Sequence, residues 1–181
     1  MNIRKQRVSP LQLHVRKICE DIAIAIIDDN FGNLNKDKIK RIMQFLDMVW
    51  VEKPVSGRFG QLLRGALRER ILSNPLESLN ELFIEIYWKE NLDTADRFSE
   101  LEGVGDGFIS CLLYLKNRDK YNIFLPETKS GLEIAFETRI EGDTFRERYE
   151  QFNQLANKLR SLCKLKPQEV DLILWALVQT S

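Results

Sequence analysis

The chain has 181 residues, 27 basic against 27 acidic, with 44% hydrophobic and 30% charged side chains. That size suits one domain, or one domain with an extension, and can bury a real core. Zero net charge excludes a protein that coats nucleic acid through bulk charge, so any polyanion contact must come from a local patch.

The first helix has clear start signals in Ser9, Pro10 and Gln12. Leu11, Val15, Ile18, Ile22 and Ile26 then recur at helical spacing and are expected to form its buried face. It ends near Asn30, Phe31 and Gly32. Arg4, Lys5, Arg7, Arg16 and Lys17 near its start read as a solvated arm, with phosphate contact as the alternative. A second helix starts at Asn35, with Ile39, Ile42, Met43, Leu46 and Trp50 inward. The breaker at 52–57 leads to a third helix with Phe59, Leu62, Leu63, Ala66 and Leu67 inward. Arg64 and Arg68 lie on its outer side, where they can hold phosphates or form salt bridges. The same breaker marks a subdivision into an N-terminal helical part, 1–52, and a hairpin-containing part, 57–181. Pro75 restarts the chain into a fourth helix with Leu79, Leu82, Phe83 and Ile86 inward. Its Glu77, Glu81 and Glu85 read as a solvated face. Tyr87 and Trp88 are expected to pack beneath the feature that follows.

That feature is Gly103-Val104-Gly105. A short helix over 94–101, with Asp93 as cap, precedes it, and a second helix carrying Phe108, Ile109, Leu112 and Leu113 follows. Two helices joined by such a turn form the pattern of a helix-hairpin-helix. Glycine opens backbone angles that other residues avoid. A bend without side chains lets a phosphate reach backbone N–H groups and the positive end of the second helix. The plain alternative is a tight turn that touches nothing, and the acids Glu100, Glu102 and Asp106 around it favour that alternative.

Beyond the hairpin, 117–130 reads as a loop and 131–136 as a short helix capped by Ser130, with 134–140 the sole candidate for a strand. Thr144 and Glu147 make a capping box for a long helix whose face carries Phe145, Tyr149, Phe152, Leu155, Leu159 and Leu162. Pro167 opens a last helix that is apolar on nearly every side. The expected fold is all-α, a single multi-helix domain of about eight or nine helices. Cys19, Cys111 and Cys163 read as buried reduced thiols. With no CxxC or Cys/His set, and His14 as the single histidine, no metal or cofactor is expected. No apolar run approaches the ~18 residues of a membrane span, and no signal-peptide core follows the basic start. A cytoplasmic protein without a membrane partner is expected.

The segment GVGDGFISCLLYLKNRDKYNIF resembles the GVGPxxASxLLhFxxPDxYPI segment of helix-hairpin-helix domains in two groups. One is the DNA glycosylase superfamily. The other is a non-catalytic relative attached to, or encoded near, McrBC-type modification-dependent restriction proteins. The resemblance runs from 101 to about 123 and rests on Gly103, Val104, Gly105, Ser110, Leu112, Leu113, Asp119, Lys120, Tyr121 and Ile123. Asp106, Ile109 and Arg118 depart from it. VDLILWAL near the end resembles the DxFLWxL segment that closes the non-catalytic group.

The resemblance implies an accessory DNA-binding module of a restriction or defence system. Its contacts to the DNA backbone would come from Gly103, Val104, Gly105 and Gly107, with Lys116, Arg118, Lys120 and Lys129 adding charge. The position of the glycosylases' Asp falls at Pro126, with Glu127 the nearest carboxylate. A proline cannot stabilise an oxocarbenium-like sugar. No paired carboxylates, Ser/His/Asp set or P-loop replaces it, so no enzymatic activity is expected. The alternative is a protein-interaction module with a degenerate hairpin that presents its last helix to a partner.

Overall fold

Residues 10–47 and 65–180 are described by the computed structural model. Ser9, Trp50, the breaker at 52–57 with its subdivision, Phe59, Leu62, Leu63 and Arg64 lie outside them. The described elements are α1 Pro10–Asp28, α2 Lys36–Asp47, α3 Gly65–Ser73, α4 Leu76–Leu82 with a π turn Phe83–Trp88, a 3-10 turn Leu92–Thr94, α5 Ala95–Phe98, α6 Asp106–Lys116, α7 Pro126–Phe136, α8 Phe145–Cys163 and α9 Pro167–Thr180. The all-α expectation holds, with no strand among the described residues. The segment at 134–140 is the end of α7 and a turn that follows the left-handed Glu137.

One apolar cluster draws on all nine of these α-helices, from Ala23 and Ile27 on α1 to Val170 and Leu174 on α9. Local signals predict several of the elements. The Asn35 side chain accepts the Lys38 N–H at 2.9 Å and caps α2. Thr144 and Glu147 form a reciprocal capping box at the start of α8. The stripes of α2 and α4 face inward as their periodicity requires.

Four expectations change. The buried side of α1 runs through Arg16, Cys19, Glu20, Ala23 and Ile27, while Leu11, Ile18 and Ile22 face solvent. The charged pair on that side hides the true face from a hydrophobicity count. Next, α7 begins five residues earlier than expected, at Pro126. Pro suits the first helical turn, and the Thr128 hydroxyl accepts the Leu125 N–H at 2.8 Å where Ser130 was the expected cap. On α8, Leu162 is exposed, because the left-handed Lys164 ends the helix just beyond it. Cys163, likewise, is exposed, unlike Cys19 and Cys111.

The last helix is a core element rather than a free apolar face. Val170, Leu172 and Leu174 are buried, and α9 crosses α7 at Gly131.

Candidate nucleic-acid interface

The expected first hairpin helix is reduced to the 3-10 turn and the single turn of α5, and the chain then bends through 99–105. Asp93 does not cap it. Its carboxylate pairs with Arg146 on α8 at 2.6 Å. The bend is held by backbone bonds from Leu101 N–H to Phe98 C=O and from Val104 N–H to Leu101 C=O. Val104 is buried, as a plug in the core.

Asn74, buried at the end of α3, clamps the bend from below. Its amide donates to Glu102 C=O and its carbonyl accepts from Glu102 N–H, both at 2.9 Å. Tyr87 and Trp88 pack at the other end of α6: Lys116 lies over both rings, and Tyr87 donates to Asp28 at 2.9 Å.

The two glycines do different work. Gly103 has φ +74°, in the left-handed region, and a Cβ there would stand 3.0 Å from Ile71 Cγ1 and 3.2 Å from the Leu67 carbonyl oxygen. Gly103→Ala should therefore destabilise the fold by about 1–2 kcal/mol from backbone strain alone. A thermal melt that leaves Tm unchanged would contradict this. Gly105 is extended, at φ −147°, and a Cβ there would meet none of the described residues within 4 Å. It stands at the N-cap of α6, where no side chain caps the helix. Gly107 and Phe108 of the first turn are buried, and the Ile109 N–H donates to the Gly105 carbonyl at 3.0 Å. A shallow cleft of about 310 Å³, lined by Arg70 and residues 99–105, lies over the bend.

Two of the three acids around the turn are matched by arginines. Arg70 pairs with Glu102 at 2.9 Å, and both side chains are mostly exposed. Arg148 pairs with Asp106 at 3.2 Å and also donates to the Gly142 and Asp143 carbonyls. An exposed pair such as Arg70–Glu102 is worth about 0–1 kcal/mol, so an incoming anion can take over Arg70 at little cost, whereas Arg148 is partly buried and held by two carbonyls as well. Neither was singled out as a contact in the sequence, because the partners lie 32 and 42 positions away.

The structure does not bring the other expected contacts to the bend. Gly107 is in the first turn of α6 but buried. Lys116 closes α6, about 16 Å along its axis from Gly105. Arg118 is bound to Glu20 and Asp21 on α1. Burial opposes its charge, but those carboxylates outweigh burial and raise its pKa above the ordinary value. Lys120 pairs with Glu90 at 2.6 Å, an interaction that raises the lysine and lowers the carboxyl. Lys129 sits on α7, 3.7 Å from Glu133.

Arg118 belongs to a buried network that joins α1, α6 and α9. The Glu20 carboxylate accepts from Arg16 at 2.8 Å, from Tyr114 and Arg118 at 3.2 Å and from Gln168 at 3.4 Å. Arg16 reaches Asp171 at 3.0 Å and the Gln168 carbonyl at 2.9 Å. Arg16 is therefore not part of a solvated arm. Burial pushes the Tyr114 hydroxyl well up, and the adjacent Glu20 pushes it further.

A polar groove of about 650 Å³ lies between residues 89–93 and α8. Its charged walls are joined by the Lys120–Glu90, Arg146–Asp93 and Arg146–Glu150 pairs. Among the described residues no group of three or more His, Cys, Asp or Glu side chains could hold a metal ion, and no helix is long and apolar enough to cross a membrane. Comparison with family models, curated proteins and solved structures finds no match.

Proposed function

We propose that this chain is a non-catalytic module that holds the backbone of DNA at the 99–105 bend, as a helix-hairpin-helix does, in the accessory role that the resemblance to restriction-associated proteins implies. The observation that carries the reading is the start of α6, which no side chain caps, beside Gly105, where a Cβ would meet none of the described residues within 4 Å. A phosphate there would accept from first-turn N–H groups and meet the positive end of the helix dipole. Arg70 and Arg148, on either side, would exchange their carboxylate partners for it. Such a contact carries no base information, so affinity should be similar across sequences.

The test is fluorescence anisotropy on a short duplex at several salt concentrations. Each phosphate-linked arginine contributes a slope of about 0.9 in log affinity against log salt. Arg70→Gln or Arg148→Gln should each lower the slope by roughly one. Lys116→Gln, at the far end of α6, should leave it unchanged. Release of a base from damaged or methylated duplex would overturn the non-catalytic part of the reading.

A further inference from the structure

The cleft over the bend holds an ion pair within it. Arg70 and Glu102 both line the cleft. The Arg70 guanidinium donates from Nε at 3.1 Å and from Nη2 at 2.9 Å, and one Glu102 oxygen, Oε2, accepts both. The two side chains rise from a single fixed support. Asn74 is 6% exposed. Its amide donates to the Arg70 carbonyl at 3.2 Å and to the Glu102 carbonyl at 2.9 Å, while its own carbonyl accepts the Glu102 N–H. The Ser73 hydroxyl also donates to the Arg70 carbonyl, at 2.6 Å. Much of the cost of an exposed pair lies in ordering two long side chains. Here the backbone beneath both is already fixed, which keeps the charged groups together. Glu100 is the contrast. It lines the same cleft and is exposed, and its carboxylate has no partner among the described residues.

On the reading of the bend as a phosphate-holding site, we infer that the Arg70–Glu102 pair is a latch that regulates it, withholding Arg70 from the DNA backbone until a phosphate displaces Glu102. With the latch closed, the Arg70 charge is neutralised inside the cleft. A phosphate gains that charge only by breaking the pair, and Glu102 then stands beside it as a free carboxylate. Glu102 therefore opposes binding in two ways, by repelling the phosphate and by holding Arg70. Glu100 opposes it by repulsion alone. Only the hold on Arg70 depends on Arg70 being present, so a double-mutant cycle separates the two effects.

Fluorescence anisotropy on a short duplex at one low salt concentration measures the cycle, with the wild type, Glu102→Gln, Arg70→Gln and the double variant. Arg70, Glu100 and Glu102 are exposed, so the variants should fold as the wild type does. Glu102→Gln should tighten binding in both backgrounds, and by about three- to fivefold more where Arg70 is present, the worth of an exposed ion pair. Glu100→Gln should tighten it by the same factor with and without Arg70. Equal gains from Glu102→Gln in the two backgrounds would overturn the latch and leave Glu102 a repelling charge, with the DNA reading intact. Binding by none of the proteins would overturn that reading, and the latch with it.

Discussion

Glu20→Ala is expected to lower the stability of the fold by about 3–5 kcal/mol, the cost of removing one partner from a buried ion pair. Glu20 is 1% exposed and accepts from four side chains on three helices and the segment after α6. Without it, the buried Arg16 loses one of its carboxylate partners, and Tyr114, Gln168 and one contact of Arg118 lose their acceptor. The neighbouring Asp21 is the control. Its side chain is 41% exposed, so Asp21→Ala should cost only about 0–1 kcal/mol. Urea unfolding of both variants decides the matter. Equal shifts would mean that the buried network does not hold α1 and α9 against α6.

Gly131→Ala should destabilise by about 1–3 kcal/mol through overpacking, against a helix propensity that favours Ala over Gly by about 1 kcal/mol. The position lies in the interior of α7, where the usual expectation is a gain. A Cβ at Gly131, however, would overlap the Leu174 carbonyl oxygen and stand 2.9 Å from its carbonyl carbon. Backbone cannot rotate away as a side chain can, so α7 and α9 would have to separate. Since α9 buries Val170 and Leu174 at that crossing, the loss would spread through the C-terminal part of the core. Equal or higher stability of Gly131→Ala would show that the crossing has room to open.

Features set by near neighbours were legible in the sequence. The capping box of Thr144 and Glu147 involves residues three apart, and the Asn35 cap likewise. The inward stripes of α2 and α4 carry no buried charge, so periodicity alone finds them. The face of α1 was not legible, because its buried side depends on Asp171, some 155 positions away, to neutralise Arg16. Read without that partner, Arg16 and Glu20 look solvated and the Leu11–Ile18–Ile22 ridge looks buried. The bend at 103–105 was legible from its glycines, but the distinct parts played by Gly103 and Gly105 were not. One has a left-handed backbone against Ile71 and Leu67, and the other faces open space. Arg70 and Arg148 escaped for the same reason as Arg16, since their partners are close only in space.

That difference between the glycines allows the most direct test. Gly105→Val places a branched side chain beside the start of α6, at an extended position where the Cβ meets none of the described residues within 4 Å. Val is a poorer N-cap residue than Gly, by about 1 kcal/mol, so a melt run in parallel separates the effect on binding from the loss of stability. By fluorescence anisotropy at low salt, the wild-type chain should bind a short DNA duplex. Gly105→Val should weaken that binding tenfold or more, about 1.4 kcal/mol, at a temperature where the melt shows both proteins folded. Absence of binding at low salt, or binding equal in the two proteins, would contradict the proposal that this bend holds the DNA backbone.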